Sequence, residues 1–367
     1  KFSKCIDKSD ATIYKEGIMN SVKVEDTKLF KKVLGCLAIG AIGDNLGRPV
    51  ENWHYKDIEA RYGRLEDPWA GVKGGDSGFE VGTDDTALGQ ILCHCYIDKG
   101  RPLLVEDYGE YWLKEMNPLK FFFCLRNTYE LLKMGYTARV TGIFNIVTGS
   151  GLMAINPVGI FNAGDPDRAY VDGVNLASIV QRDLDMFIPG VISAAIAEAF
   201  RPGATCDSVI ETAIRVAPSK PIITFDKRDP NNLQDTLIQA VEVASKYDDV
   251  FSAREGLYEK CLQYAAIDPQ EVFALTFGIF KASKGDTKMA VIGGANIGRD
   301  ADTIGSLNGQ LCGALNGVDS APKEWMDGLK KCSGWNKFYE TAVKMTELVI
   351  ARHKQREKRV NEINELL

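Results

Sequence analysis

The sequence lacks the features that several large protein classes require. There is no basic excess: 44 Lys and Arg stand against 50 Asp and Glu, for a net charge of −6. With no basic cluster to offset that balance, no nucleic-acid partner is expected. The Lys/Arg-rich stretch ARHKQREKRV from Ala351 is interleaved with apolar positions and runs into acids, so it reads as the solvated face of a terminal helix. No apolar run approaches the roughly 20 residues of a membrane-spanning helix, and no signal-peptide core opens the chain. A cytoplasmic protein with no membrane partner is expected, with a lost targeting segment left open. A disulfide framework is missing too. The nine cysteines (Cys5, Cys36, Cys93, Cys95, Cys124, Cys206, Cys261, Cys312 and Cys332) are odd in number, irregularly spaced and several lie within apolar helical patterns. They read as buried free thiols in a reducing compartment. Cys93-His94-Cys95 has no second Cys/His pair to complete a zinc site, and helix neighbours at i and i+2 face apart. Alternating β-type runs are scarce, Ile222-Ile223-Thr224-Phe225 being too short to build a sheet on. No internal repeat is evident.

What is there is an ordinary globular balance, 45% hydrophobic and 26% charged over 367 residues. Residues 1–25 are polar and mixed and read as a loose arm; residues 26–367 read as one domain. After Thr27, KLFKKVLGCLAIGAIGDNLG forms a helix whose later turns are built on Gly35, Ala38, Gly40, Ala41 and Gly43. Glycine is a poor helix former in water, so such a helix is central, buried and supported by close neighbours. Residues 52–82 mix glycine, proline and aromatics and read as a long loop. Helical periodicity returns at Thr86–Lys99 and then recurs through Leu104–Met116, Arg126–Met134, Asp167–Val180, Val191–Phe200, Cys206–Val216, Leu233–Lys246, Phe251–Cys261, Gln270–Lys281 and Thr287–Gly293. Gly164-Asp165-Pro166-Asp167 is a strong start signal, with proline early and acids at the positive end of the helix dipole. The expectation is a compact, all-α single domain, an orthogonal bundle of helices.

Two stretches share a layout. GTDDTALGQILCHCYID begins at Gly82, and GRDADTIGSLNGQLCGALNG begins at Gly298. Each opens with hydroxyl and acidic groups and runs straight into an apolar periodic segment. Either start alone is an ordinary helix cap with acids complementing the dipole. As a pair they pose a problem, because Asp84 beside Asp85, and Asp300 near Asp302, are like charges that cost energy together unless a cation neutralises them. Thr83 and Thr303 add hydroxyl oxygens, and no histidine or cysteine lies near. That is a hard-oxygen donor set suited to Mg²⁺ or Mn²⁺, and four carboxylates are apt for two ions. A third acidic element is GDNLGRPVEN, where Glu51 follows the glycine helix beyond Asp44, Gly47 and Pro49. A turn after a rigid helix is a natural perch for a general acid or base.

Together these three elements resemble the ADP-ribosyl-glycohydrolase family. Its pattern opens with a small-residue helix ending G-D-x-L-G-x-x-x-E, matched by Gly43-Asp44-Asn45-Leu46-Gly47 and Glu51. It continues with T-D-D-T, matched by Thr83 to Thr86, and closes with G-D-x-D-T, matched by Asp300, Asp302 and Thr303. The resemblance runs in order from about Leu34 to Gly317, and NPVGIFNAGDPDRAYVDGVNLASIV from Asn156 is similar to the family's middle helix. It implies an all-α fold of the family type and two divalent ions, Mg²⁺ or Mn²⁺, held by Thr83, Asp84, Asp85, Asp300, Asp302 and Thr303. It also implies hydrolysis of the C1″ bond from ADP-ribose to an arginine, a serine or a small-molecule leaving group. The expected partner is thus an ADP-ribosylated protein or a small-molecule adduct. Three departures stand out. Arg299 replaces the usual glycine before the first aspartate of the last element. The glycine-rich diphosphate loop is only approximated by Thr148-Gly149-Ser150-Gly151. The usual histidine after the middle helix is absent, with Val180-Gln181-Arg182-Asp183 in that region.

Cleaving a ribosyl bond builds positive charge at the anomeric carbon and requires a proton at the leaving group. On this reading Asp85 orients or deprotonates the attacking water, and Glu51 engages the ribose hydroxyl or the leaving group. Gly149, Ser150 and Gly151 would offer backbone amides to a diphosphate, and Arg299 would stand beside the substrate or swing outward. Trp53, Phe144 or Phe161 would stack on a base, if they are not simply core. Three other readings stay open: a hydrolase of nucleosides or nucleotides using the same diol clamp, a non-catalytic relative that only binds ligand, and a phosphohydrolase using the same two metals.

Overall fold

The fold is organised around two helices that touch backbone to backbone. In a computed structural model, which describes residues 23–69, 81–220, 232–263 and 265–367, helix α1 spans Lys28–Gly47. Thr27 caps it, its side chain accepting from the Phe30 amide at 3.1 Å. Helix α2 covers Tyr55–Tyr62, α3 Asp84–Lys99, α4 Pro166–Ala177 and α5 Phe187–Ala199. Helix α6 follows at Pro269–Ala282, α7 at Thr287–Asn296, α8 at Ala301–Asn316 and α9 at Trp335–Asn364. Further helices fill the intervals, and no strand occurs among the described residues beyond an isolated bridge between His54 and Gly298.

Helices α1 and α8 run antiparallel and make the most extensive helix–helix contact of the fold. A Cβ added to Gly43 would lie 2.1 Å from the Gly305 carbonyl oxygen, and one added to Gly313 would lie 2.1 Å from that of Gly35. No side chain fits between them, so the glycine that weakens each helix alone is what lets the pair form. Antiparallel pairing sets the C-terminal end of α1 against the N-terminal end of α8. In this way Asp44 and Glu51 come to lie beside Asp300 and Asp302, about 250 residues later in the chain by their numbers.

The other helices wrap this pair in one contiguous apolar core running from Val24 to Val349. Helix α7 lies on α8, with Gly294 against the backbone of Gly305, and α4 packs on α5. Helix α3 is tied to the end of α1 through a side chain. Asp44, fully buried, accepts at one carboxylate oxygen from the Thr83 amide (2.7 Å), the Thr86 amide (3.3 Å) and the Thr86 hydroxyl (2.6 Å). Among the described residues no helix is long and apolar enough to cross a membrane. Of the cysteines, Cys36, Cys93, Cys95, Cys124, Cys261, Cys312 and Cys332 are free and buried, and Cys206 is free and partly buried.

The expected long loop at 52–82 needs correction in part, because α2 interrupts it. Its pattern, YKDIEARY, turns only Tyr55 and Ile58 into the core, too few apolar positions to register as a helical period. Residues 70–80 of that stretch, most of the arm (1–22, with Cys5) and Ile222–Phe225 lie outside the described residues. Helix α3 begins two residues earlier than its apolar period, at Asp84, because Thr83 caps it.

Candidate functional site

The site is assembled at three chain segments that meet at the end of the α1–α8 pair. Glu51 follows a short 3-10 turn, Arg48–Val50, that continues α1. Its loop is stitched to the turn before α8. The Asn52 amide donates to the Arg299 carbonyl (2.7 Å), and the Arg299 amide donates to the Trp53 carbonyl (2.9 Å). Gly298, at φ +72°, allows this approach, since a Cβ there would lie 2.2 Å from the Trp53 oxygen. One oxygen from each of Glu51, Asp300 and Asp302 can be chosen so that all lie within 4.8 Å of one another.

Asp84 and Asp85 arrive from the N-terminus of α3, held by Asp44. Together with Glu51, Asp300, Asp302 and Thr303 they line a cavity of about 260 Å³, whose remaining wall includes Lys120, Phe122, Thr148, Gly149, Ser150, Met153 and Ile267. A larger cavity, about 600 Å³, lies along α4 and is lined by apolar and polar side chains in equal measure. It carries no carboxylate cluster, so chemistry rather than size singles out the smaller one.

Capping explains little of what these acids do. Asp300 stands at the N-cap position of α8 but makes no side-chain cap bond, while Asp302 accepts from the Thr303 amide at 3.0 Å. On α3 the cap is Thr83, whose hydroxyl accepts from the Asp85 amide at a long 3.4 Å; Asp84 accepts from the Phe122 amide at 3.2 Å. One oxygen of Asp85, Oδ2, is buried without any hydrogen-bond partner. Thr83 is not on the cavity wall.

The electrostatics follow from burial first and from mutual repulsion second. Burial, then the charges of Asp302, Asp44, Asp84 and Asp300, pushes Asp85 well above the usual carboxylate range. Asp302 is raised by burial and then by Asp300, Glu51 and Asp44. Asp300 is raised to about 7 by burial, against hydrogen bonds from Asp302 and Thr303 that pull it down. Glu51, although an exposed residue, is raised by the partial enclosure of its carboxyl and by Asp84. Carboxyls pushed up by burial and by one another are groups whose charged form a cation would favour. The donor set fits such an ion: it is all oxygen and is directed from the positive ends of two helices.

Of the two courses open to Arg299 the structure takes the outward one, and the expectation for residues 148–151 changes. Arg299 does not line the cavity. It adopts φ +60°, the left-handed conformation that glycine takes without cost, and its guanidinium grips Glu271 in a two-pronged ion pair at 2.6 and 3.0 Å. Glu271 is fully buried, and burial keeps its carboxyl above the ordinary value even against Arg299. Residues 148–151 do not present free amides as a set either. The Gly149 amide donates to the Ile267 carbonyl (2.9 Å) and the Ser150 amide to the Thr148 hydroxyl (3.2 Å). Gly151 packs against Gln181, whose amide nitrogen donates to the Thr148 carbonyl at 2.7 Å. Gly149 and Ser150 remain on the cavity wall. Of the proposed aromatics, Phe161 is core, stacked on Tyr96 at 4.5 Å, Trp53 leans on Tyr62, and exposed Phe144 packs against Tyr136. The aromatic on the wall is Phe122.

Local pattern assigns no role to Asp44, Glu271 or Gln181. Asp44 belongs to the G-D-x-L-G motif but acquires its purpose only with α3 beside it. Glu271 sits in an apolar helical run and carries no local signal at all.

Comparisons with known proteins bear on the family and the fold. A family model described as ADP-ribosylglycohydrolase matches residues 25–358. Among curated proteins, the chain is similar to the uncharacterized protein YegU of Escherichia coli, 26% identical over 326 residues, covering 82% of this chain and 93% of that protein. It is also similar to an uncharacterized protein of Archaeoglobus fulgidus, 24% identical over 318 residues, covering 82% and 92%. Among solved structures, one titled ADP-ribosylglycohydrolase-related protein complex superposes with a TM-score of 0.63 at 18% identity, over 88% of this chain and 99% of that one. At that identity the likeness speaks for the fold.

Proposed function

The chain belongs to the ADP-ribosylglycohydrolase family, and from that premise we propose that it is a divalent-metal-dependent hydrolase cleaving the C1″ bond between ADP-ribose and its acceptor. The acceptor would be an arginine or serine of a protein, or a small-molecule leaving group. The observation that carries this reading is the convergence of Glu51, Asp84, Asp85, Asp300 and Asp302 on one cavity. Two Mg²⁺ or Mn²⁺ ions would be held by Asp84, Asp85, Asp300 and Asp302, with Thr303 and the nearby hydroxyl of Thr83. Such ions would supply Lewis-acid chemistry at the ribose and make a nearby water easier to deprotonate. Asp85, buried and surrounded by negative charge, orients the attacking water and takes its proton as the oxygen attacks C1″. The carboxylates around it stabilise the positive charge that grows on the ribose ring as the bond to the leaving group breaks. Glu51, on its loop at the rim, engages the ribose hydroxyl or hands a proton to the departing group. Water supplies the new anomeric hydroxyl, and the acceptor leaves with its proton restored.

One observation favours a second reading. With the amides of Gly149 and Ser150 already bonded within the protein, a diphosphate finds fewer ready donors than the family pattern implies. A nucleoside or nucleotide substrate bound through its ribose alone would not need them. Product analysis separates the two. Incubated with ADP-ribosyl-arginine, ADP-ribosyl-serine and plain nucleosides in Mn²⁺, the protein is expected to release free ADP-ribose, and Asp85→Asn is expected to lower the rate by at least about 100-fold. Cleavage of nucleosides only would install the second reading. Release of inorganic phosphate would overturn both.

A further inference from the structure

Asp85 faces two cavities. In front is the acidic pocket; behind, between α1, α3 and α8, lies a much smaller space of about 10 Å³ whose walls include Gly40, Gly89, Asn156, Ser306 and Gln310. That is room for a single water molecule. Two of the residues lining it, only 4% and 3% exposed, each carry a buried oxygen with no hydrogen-bond partner, Asp85 Oδ2 and Gln310 Oε1. The Gln310 amide is fixed in orientation, because its nitrogen donates to the Met153 carbonyl (3.2 Å) and the Ser306 hydroxyl (3.0 Å). Its oxygen is therefore an acceptor. With Asp85 ionised, as holding a cation requires, both oxygens are acceptors and need a molecule between them that donates twice.

Gly89 points the same way. The glycines of α1 and α8 are dictated by backbone contact, but a Cβ on Gly89 would meet only Asn156 Oδ1, at 3.3 Å, within 4 Å. Glycine in the middle of α3 costs about 1 kcal/mol relative to alanine. No backbone crowds it there, one side-chain oxygen being its nearest neighbour, and its missing side chain leaves space on the wall of the small cavity.

We propose that one buried water occupies the cavity behind Asp85, donates to Asp85 Oδ2 and to Gln310 Oε1, and makes Gln310 a positioning residue for that carboxylate. The water holds Oδ2 to the rear, which turns the other oxygen of Asp85 to the front pocket. Gly89 keeps the space open. The water itself does not depend on the metal-dependent hydrolase reading; the consequence for the front pocket does.

The test begins with a crystal structure of the intact wild-type protein at a resolution that shows ordered waters. A density peak within hydrogen-bond distance of both Asp85 Oδ2 and Gln310 Oε1 is expected, and its absence overturns the proposal. The second measurement is Mn²⁺ titration calorimetry together with thermal melting of Gly89→Ala, whose methyl group enters the water's space while leaving every carboxylate in place. The variant is expected to melt no lower than wild type yet bind Mn²⁺ about tenfold more weakly or worse, as for other outer-shell losses. A Gln310→Leu variant that folds should show the same loss. Wild-type Mn²⁺ affinity in a stable Gly89→Ala protein would overturn the positioning role. A wild-type protein that binds no Mn²⁺ would instead sink the hydrolase reading, and the crystallographic peak would decide the water on its own.

Discussion

At position 299 the backbone sits where glycine is favoured, and an arginine occupies it at φ +60°. A non-glycine residue there costs on the order of 1 kcal/mol. The two-pronged pair with fully buried Glu271 offsets that strain and fixes the turn that delivers Asp300. Relieving the strain alone is therefore not stabilising. Arg299→Gly is expected to lower stability by about 3 kcal/mol, because it leaves Glu271 buried without its cationic partner, held only by the Gln263 amide. Adding Glu271→Gln should recover much of the loss. Urea unfolding of both single variants and the double variant measures this, and additive losses would show that the two side chains are not coupled. In the sequence Arg299 stands out as a departure from the family pattern, with an inward and an outward course both open to it. What turned it aside is a glutamate 28 positions away on another helix, and no local pattern reports such a neighbour.

Helices α1 and α8 carry the site because they come so close. In isolation, alanine would improve either helix by about 1 kcal/mol per glycine replaced. In the pair the sign reverses. A Cβ on Gly43 would stand 2.1 Å from the Gly305 oxygen, so the helices must separate. Gly43→Ala is expected to destabilise the fold by about 3 kcal/mol and, where folded protein remains, to weaken Mn²⁺ binding by moving Glu51 away from Asp300 and Asp302. Chemical denaturation and calorimetry read the two effects; a variant of wild-type or greater stability would mean the helices are not in backbone contact. The burial of the first helix was legible in its run of small residues, and so was the pattern of helices after it. Helix α2 was not, since only Tyr55 and Ile58 of its eight residues reach the core.

Across the whole molecule, burial of so many acids in one place ties stability to cations and pH. Asp300 is raised from the ordinary carboxylate value to about 7, and Asp85 and Asp302 are raised as well. An acid whose folded pKa exceeds its unfolded one stabilises the fold below the unfolded value and loses that contribution as pH rises through the folded value. In EDTA the protein should thus lose stability between about pH 5 and pH 8. Saturating Mn²⁺ pairs the charged carboxylates and should remove most of that loss. Melting temperatures at pH 5.5 and pH 8, with EDTA and with Mn²⁺, are expected to differ more at the higher pH. An equal Mn²⁺ effect at both would count against a cation at this cluster.

Composition and periodicity alone determined that this chain would be helical, that its glycine-bearing segments would be buried, and that carboxylates and hydroxyls would head two of its helices. Those are properties of short windows, set by side-chain volume, charge and the 3.6-residue repeat. Tertiary structure decided which of these groups meet. Antiparallel contact between two glycine-faced helices sets Glu51 against Asp300 and Asp302, Asp44 anchors the Asp84–Asp85 pair alongside, and Glu271 pulls Arg299 out of the pocket. Each is a contact between residues far apart in sequence, chosen by steric fit and by the need to pair buried polar groups, and a linear pattern holds no record of it.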